Sequence, residues 1–274
     1  LSMQSCACAK LLKSFTISGT KIIRKMQDCV LTECIQTAND LFSRCTKNKG
    51  LISYLHTVII GSNNGDMAAA NELAFHVDMV ELLAACTVGK NVYTEIKCQN
   101  FLSFCDCASV VIDPDINQEV KNAYLLLIMN VYIETEVETV EIFNTDIILK
   151  MLEFFSAEIL KASASIKSIA EDPTKSIFFM TLIPSFMTYL FSLTYPVVAE
   201  QIRTNHSLFI KLLSSLRKMS DSAILLIKHK SSVNAAIRAM ITFSNKWGFT
   251  IPDSVTHLFS APIDQESIAL ITTI

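Results

Sequence analysis

Residues 81–102 read ELLAACTVGKNVYTEIKCQNFL, two apolar runs separated by a glycine, a lysine and an asparagine. Apolar residues before Gly89 recur at helical spacing, and a glycine directly after such a run is a common helix end. We therefore predict one helix that ends near Gly89 and a second helix that begins at the next few residues. In this stretch we expect the apolar side chains to pack inward and the lysines to face outward: Val92, Tyr93 and Ile96 inside, Lys90 and Lys97 outside.

The same pattern of linked apolar runs extends along the whole chain. Only 6 glycines and 6 prolines occur in 274 residues, which favours long helices with short polar links and disfavours an all-β fold. The spacing of apolar residues predicts helices over residues 2–17, 20–43, 48–61, 71–87, 91–101, 103–111, 116–133, 135–143, 146–168, 174–193, 197–218, 221–229, 231–247 and 254–260.

Turn-forming residues mark several corners between these helices. SNNGD at 62–66 and EDPTK at 171–175 are typical turn sequences, and Asp113-Pro114-Asp115 places a proline and a capping aspartate before INQEVKNAYLLLIMNVY. Helix pairs recur at roughly 40 residues, the repeat length of HEAT and armadillo arrays. We predict an all-α, armadillo/HEAT-like α-solenoid of irregular helix pairs that forms a single domain over residues 1–274. A globular helical bundle is the alternative.

Residues 176–199 challenge this interpretation, because SIFFMTLIPSFMTYLFSLTYPVVA contains no charged side chain and is long enough to cross a bilayer. However, Ser, Thr and Tyr recur every few residues, Pro184 and Pro196 interrupt the run, and no aromatic belt with flanking basic clusters marks its ends. These features favour a buried solenoid helix that is kinked or divided near residues 183–184.

Charge and cysteine content limit the classes of function. With 23 basic and 26 acidic residues, the formal net charge is -3, which disfavours nucleic acid as a partner. The 9 cysteines are odd in number and too few for a disulfide-stapled mini-protein, so a reducing compartment fits better. No signal peptide is visible, and a start at Leu1 within a helical pattern indicates a fragment of a longer chain.

Each catalytic or cofactor template that the sequence suggests lacks a required part. Gly89-Lys90 is followed by asparagine rather than Ser or Thr, and no glycine precedes it by five residues, so it is not a P-loop. The CxC pairs Cys6/Cys8 and Cys105/Cys107 would point to different faces of a helix, which disfavours zinc. The histidines occur singly and are expected to be solvated or capped helix residues: His56, His76, His206, His229 and His257. We therefore predict neither an enzyme nor a bound cofactor.

An acidic run, IETEVETVEIF, is the remaining candidate site. On one helix Glu134, Glu138 and Glu141 would share a face, while Glu136 would point elsewhere. Carboxylates supply part of a calcium shell, so these four glutamates are a candidate partial calcium site at a domain interface. A solvated face, or pairing with Lys and Arg of a neighbouring helix, is the alternative.

Several long segments resemble one known family. They are KIIRKMQDCVLTECI at 21–35, HVDMVELLAACTVGKNVYTEIKC at 76–98, EVKNAYLLLIMNVYIETEVETVEIF at 119–143 and SSVNAAIRAMITFSNKWGFTIP at 231–252. In order and in sequence they are similar to the central cytosolic helical region, the RIH domain, of inositol 1,4,5-trisphosphate receptors. The resemblance is densest over residues 76–143, where the runs GKNVYTEIKC and YIETEVE are specific to this family.

The resemblance implies a role and a location. These receptors are tetrameric calcium-release channels of the endoplasmic reticulum membrane, and the RIH domain is an armadillo-like solenoid on the cytosolic side. Inositol trisphosphate binds such receptors outside this region, so the implied partners are neighbouring domains and adjacent subunits of a homotetramer, with calcium as a regulator. We expect a regulatory scaffold that couples ligand binding to pore opening. A free-standing HEAT/armadillo adaptor for partner helices or peptides is the alternative.

Overall fold

Helices make up nearly all of the computed structural model, which describes residues 6–18, 21–47, 50–136, 146–193, 195–222 and 225–253. Two short antiparallel strands, β1 (Ile17–Ser18) and β2 (Lys21–Ile22), pair with Ile17 opposite Ile22. The helices are α1 Cys6–Thr16, α2 Arg24–Lys47, α3 Leu51–Asn63, α4 Met67–Thr87, α5 Val92–Gln99, α6 Phe104–Ile112, α7 Gln118–Ile128, α8 Ile147–Ala164, α9 Ile166–Glu171, α10 Pro173–Ile177, α11 Ile183–Ser192, α12 Pro196–Thr204, α13 His206–Ser220 and α14 Ile227–Trp247. Two π-helical segments, π1 (Met129–Ile133) and π2 (Phe178–Leu182), continue α7 and α10.

The all-α prediction is confirmed, although several predicted boundaries are wrong. The predicted helix 197–218 is two helices, because Asn205 leaves the helical conformation at φ -113 and its side-chain amide bonds the Gln201 carbonyl. The predicted helices 221–229 and 231–247 are instead one helix from Ile227. Residues 134–136 are not helical, and the rest of the predicted helix 135–143, like the predicted helix 254–260, lies outside the described residues.

Side-chain caps begin four of the helices. Asp66 accepts bonds from the amides of Ala68 and Ala69, and Asp172 accepts them from Thr174 and Lys175. Ser103 caps α6 by accepting from the Asp106 amide. The cap of α7 is Asn117, which bonds the Val120 amide at 3.0 Å, rather than the predicted Asp115. Asp115 lies two residues before the cap, where its own amide donates to the Asp113 carboxylate at 2.8 Å.

Helix α4 is the central element of the N-terminal part. It contacts α1, α2, α3, α5 and α7, and the side chains that it contributes from residue 75 to residue 87 are buried except that of Glu81. Because neighbouring helices cover more than one face of α4, its apolar side chains extend around most of the helix.

Contacts between the later helices follow two series. In one series α3 contacts α6, α6 contacts α8, and α8 contacts α13. In the other series α4 contacts α7, α7 contacts π2, and both π2 and α11 contact α14. The members of the two series also pair with each other, as α3 with α4, α6 with α7 and α13 with α14. One cluster of buried apolar side chains extends through both series from Ala9 to Phe243.

The uncharged segment 176–199 belongs to the second series. Its Phe178, Met180, Phe186 and Leu190 are at most 1% exposed. At Pro184, near the predicted kink, the helix continues, and the backbone changes from π-helical to α-helical just before the proline. Within the described residues no single helix is long and apolar enough to cross a bilayer; Pro173–Ser192 and Pro196–Thr204 meet that criterion only together, and they are bent by 112°.

Candidate functional site

The glycine in CTVGKNVYTEIKC forms a tight corner between α4 and α5. Helix α4 ends at Thr87 with Val88 as its C-cap, and Gly89 and Lys90 follow with left-handed φ angles of 82° and 62°. A Cβ atom on Gly89 would lie 2.5 Å from the Ile22 side chain of β2. Glycine is needed here for both the conformation and the close approach of β2. The predicted helix end near Gly89 is therefore where the chain turns.

Side chains from the start of α2 hold this corner. Gln27 is fully buried, and its amide donates to the carbonyls of Ala85 at 3.0 Å and Val88 at 2.9 Å. The Asn91 amide donates to the Gln27 carbonyl oxygen at 3.1 Å. The Arg24 guanidinium donates to the Gly89 carbonyl at 3.0 Å. We call Arg24, Gln27 and Asn91 the corner network, which satisfies carbonyl groups that a helix end leaves without helical partners.

The inward face of α5 is not the predicted one. Tyr93 and Ile96 are 76% and 48% exposed, so the prediction that both pack inward is wrong, and Val92 is only half-buried. The buried side chains are instead Thr94, Glu95 and Cys98. Lys90 is exposed as predicted, whereas Lys97 is half-buried.

Polar contacts explain this orientation of α5. The Glu95 side chain is fully buried and accepts a bond from the Glu136 amide at 3.2 Å. The Lys97 ammonium donates to the Asp28 carboxylate of α2 at 2.8 Å. Glu95 therefore faces the interior, Lys97 pairs with Asp28 at the partly exposed edge of α5, and two large apolar side chains face outward.

The predicted calcium ligands are only partly described. Glu134 follows the last residue of π1, is half-buried and lies outside any helix, so the expected face shared with Glu138 does not continue through residues 134–136. The pKa of Tyr189 in α11 is raised to about 12, mainly by burial and to a smaller extent by a hydrogen bond to Glu134. Glu136 is exposed, and Glu138 and Glu141 lie outside the described residues. A calcium role for the four glutamates stays a prediction.

Glu136 lines a cavity beside the corner network. The cavity has a volume of about 460 Å³ and is lined mainly by charged side chains together with Tyr93: Arg24, Lys25, Asp28, Lys90 and Glu136. Charges of both signs are present, so the lining does not select a ligand by charge alone.

Three histidines, His56, His76 and His206, differ from the expectation of solvated or capping residues. The His206 ring stacks on Phe209 with centroids 6.4 Å apart, and its Nε2 is buried. His76 in α4 is fully buried, and its Nε2 lies 2.8 Å from the hydroxyl of Tyr124 in α7. His56 in α3 is half-buried, with its Nε2 3.2 Å from Asp113 Oδ1. Asp115 forms a group with His56 and Asp113, in which one ligand atom of each residue lies within 4.8 Å of those of the other two. In the part of the chain that the structure describes, no other trio of His, Cys, Asp and Glu meets this criterion.

The cysteines all lie within the first 107 residues, and those that the structure describes are free thiols. Burial raises the pKa of Cys34 to about 11 and that of Cys86 to about 12, and it raises the pKa values of Cys98 and Cys107 well above the usual range of a thiol. Buried thiols with raised pKa values stay protonated near neutral pH and are poor nucleophiles and metal ligands. These cysteines act as small apolar core residues.

Comparison with known proteins provides a partial match. The chain is 37% identical over 75 residues to the inositol 1,4,5-trisphosphate receptor itr-1 of Caenorhabditis elegans. The matched region covers 27% of this chain and 3% of the worm receptor. No family model matches the chain. The match suggests the inositol trisphosphate receptor family and spans a small part of that receptor's length.

Proposed function

We propose that this chain is a non-enzymatic regulatory scaffold of an inositol 1,4,5-trisphosphate-gated calcium-release channel, on the cytosolic side of the endoplasmic reticulum membrane. The observation that carries the proposal is the 37% identity over 75 residues to a receptor of that name. The runs GKNVYTEIKC and YIETEVE resemble the same family and also support the proposal.

We infer an armadillo-like solenoid from the two series of helix contacts. Each helix of the series α3, α6, α8 and α13 contacts the next, and a partner series runs from α4 to α14. Repeated pairs that pack on their neighbours bury a continuous apolar core, and such an array transmits displacement along its length.

The proposed function is mechanical coupling between ligand binding and pore opening. The corner network ties α2 to the α4–α5 turn through buried hydrogen bonds, which have fixed directions and resist sliding of one helix past another. Displacement at one end of the array is therefore passed to the other end rather than absorbed inside it. In this proposal calcium acts as a regulator, and the segment carries out no cofactor-dependent chemistry.

The outer face of α5 is a candidate contact with a neighbouring domain or subunit of a homotetramer. Tyr93 and Ile96 are one helical turn apart and are both largely exposed. Large apolar side chains at adjacent surface positions are more typical of protein contacts than of a surface that always faces water.

Replacement of the region tests the coupling role. In a full-length receptor of the family, the segment equivalent to residues 21–252 would be exchanged for a flexible Gly/Ser linker. We expect inositol trisphosphate binding to persist, because the proposal places that site outside the segment, and channel opening to be lost. A matched control carries Tyr93→Ser and Ile96→Ser in the intact segment and separates loss of the array from loss of one contact. Normal opening with the linker would refute the proposal.

The adaptor alternative makes a different prediction about the gene. Tyr93 and Ile96 on the α5 surface fit a docking face for a partner helix as well as a contact within a channel. A longer reading frame decides between them: a channel predicts ligand-binding sequence upstream and membrane-spanning segments downstream, whereas an adaptor predicts neither.

A further inference from the structure

The group His56, Asp113 and Asp115 joins two separate helix pairs. His56 projects from α3, and the two aspartates lie in the turn between α6 and α7. The Nε2 atom of His56 is 3.2 Å from Asp113 Oδ1, and one ligand atom of each residue lies within 4.8 Å of the other two. The three residues therefore bring one imidazole nitrogen and two carboxylates together across the contact between α3 and α6.

The turn holds the Asp113 carboxylate in place. Asp113 is the C-cap of α6, and its amide donates to the Ser109 carbonyl at 3.1 Å. The Asp115 amide donates to Asp113 Oδ1 at 2.8 Å, and Pro114 between them has a restricted φ angle. Asp113 is half-buried and Asp115 is exposed, so the group has one anchored carboxylate and one that is free to rotate toward an ion.

The distances fit coordination of a small cation. Bonds of about 2.0–2.1 Å to nitrogen and oxygen in a tetrahedral site place neighbouring ligand atoms about 3.3 Å apart. The His56 to Asp113 distance of 3.2 Å already has this value. Rotation of the exposed Asp115 side chain would close the remaining separation, and water would complete the shell.

We propose that His56, Asp113 and Asp115 form a binding site for a borderline divalent transition cation such as Zn²⁺. An imidazole ligand favours such ions, whereas Ca²⁺ and Mg²⁺ prefer shells made of oxygen atoms alone. A cation bound here clamps α3 to the α6–α7 turn, which joins the first two members of one helix series.

Lys121 is a cationic group near the two aspartates, and its charge would oppose binding of a cation there. It lies within electrostatic range of both aspartates, and its ammonium group is 4.9 Å from the centre of the Phe154 ring. Because one positive charge is already nearby, we expect tight binding to require both carboxylates and the imidazole together.

Titration of the 274-residue chain with Co²⁺ and Zn²⁺ tests the proposal. We expect one ion per chain, a Co²⁺ spectrum without the sulfur charge-transfer band of thiolate ligation, and a rise in melting temperature with Zn²⁺ but not with Ca²⁺. His56→Gln, Asp113→Asn and Asp115→Asn should each weaken binding by at least the roughly 10–100-fold that loss of a supporting contact costs in metal sites. Asp113→Asn keeps the oxygen that accepts the Asp115 amide, so the turn stays intact.

A matched control variant tests whether ion binding depends on the His56 group rather than on any histidine of the chain. His229→Gln changes a half-buried histidine outside the group and should leave binding unchanged. The proposal is overturned if neither ion binds at a saturable site. It is also overturned if thiolate bands dominate the Co²⁺ spectrum, or if His56→Gln and Asp115→Asn bind the ions as tightly as the original chain.

Discussion

The interior of the N-terminal region, α1 to π1, differs in chemistry from that of the C-terminal region, α8 to α14. In the N-terminal region the buried side chains include a glutamine, a histidine, two asparagines, an aspartate, a glutamate and a lysine. In the described part of the C-terminal region the buried polar side chains are all serines: Ser156, Ser215, Ser220 and Ser244. The N-terminal region thus has a hydrogen-bonded interior, whereas the side chains that are buried whole in the described part of the C-terminal region are almost all apolar. Single polar atoms of Gln201, His206, Arg217 and Trp247 are also buried there.

Phenylalanine rings fill the C-terminal core. Phe155 and Phe186 meet edge to face with centroids 5.5 Å apart, and Phe191 meets Phe243 at 5.2 Å. Aromatic rings bury large areas and have few rotatable bonds, so this half derives its stability mainly from burial.

Directional contacts have the corresponding role in the N-terminal half. His76 bonds Tyr124, Asn130 donates to the Ala84 carbonyl at 3.1 Å, and Gln27 bonds the end of α4. Each of these hydrogen bonds forms at only one relative position of the two helices, whereas apolar surfaces can pack at several relative positions. The relative position of the helices is therefore specified most strongly in the part of the chain that contains the family-like runs at 76–98 and 119–143.

The largest effect is expected from a cavity in the aromatic core. Phe186 is fully buried, so Phe186→Ala should lower the free energy of unfolding by about 3–5 kcal/mol, measured by urea denaturation. Phe15→Ala removes the same ring from a side chain that is 46% exposed, and it should cost less than about 1 kcal/mol. Equal losses in the two variants would contradict an aromatic core as the source of stability.

A smaller effect is expected in the hydrogen-bonded half. Gln27→Leu leaves the Ala85 carbonyl buried without this donor, whereas the Val88 carbonyl is only part-buried. The loss should be about 2 kcal/mol, because one buried unsatisfied group costs about 1–3 kcal/mol. Amide hydrogen exchange should rise in α2 and α5 and stay unchanged in α14. Gln36→Leu is the control, since the Gln36 side-chain amide donates to Asp40 one turn away on the exposed face of α2. Faster exchange across the whole chain would show that the two halves are not distinct.

The smallest effect is expected from alanine substitutions of two glycines. They distinguish left-handed strain at Gly89 from the close approach of Ile22 to that residue. Gly89 and Gly65 have similar φ angles of 82° and 86°, but a Cβ atom would meet a neighbour within 4 Å, the Ile22 side chain, at Gly89 and none at Gly65. Both alanine variants should lose about 1 kcal/mol to left-handed strain. Gly89→Ala should lose up to about 1 kcal/mol more because Ile22 must move. Equal melting temperatures would show that β2 does not press on the corner.

Much of the fold was predictable because helices depend on local patterns. The apolar spacing located α3, α5 and α6 to within a few residues, and the turn sequence SNNGD ends with Asp66, which caps α4. The boundaries that failed depend on interactions that are not periodic. Asn205 ends α12 through a side-chain bond, and α14 runs through a segment for which the apolar spacing predicts two helices.

The candidate sites were less predictable. His56 is separated from Asp113 and Asp115 by more than 50 positions in the sequence, and only the packing of α3 on α6 brings them together. The two aspartates around Pro114 stand out in the sequence, but turn formation is sufficient to account for them. His76 has no sequence feature that distinguishes a buried histidine from a solvated one.

The sequence alone determined that this protein is all-α, where most of its helices lie, that Gly89 forms a corner, and which family its central runs resemble. These properties follow from local spacing and from backbone preferences of single residues. The tertiary structure alone decided which side of α5 faces inward. Apolar pattern favoured Tyr93 and Ile96, but Glu95 bonds Glu136 and Asn91 bonds Gln27, so the hydrogen bonds to distant elements determine the orientation of this short helix.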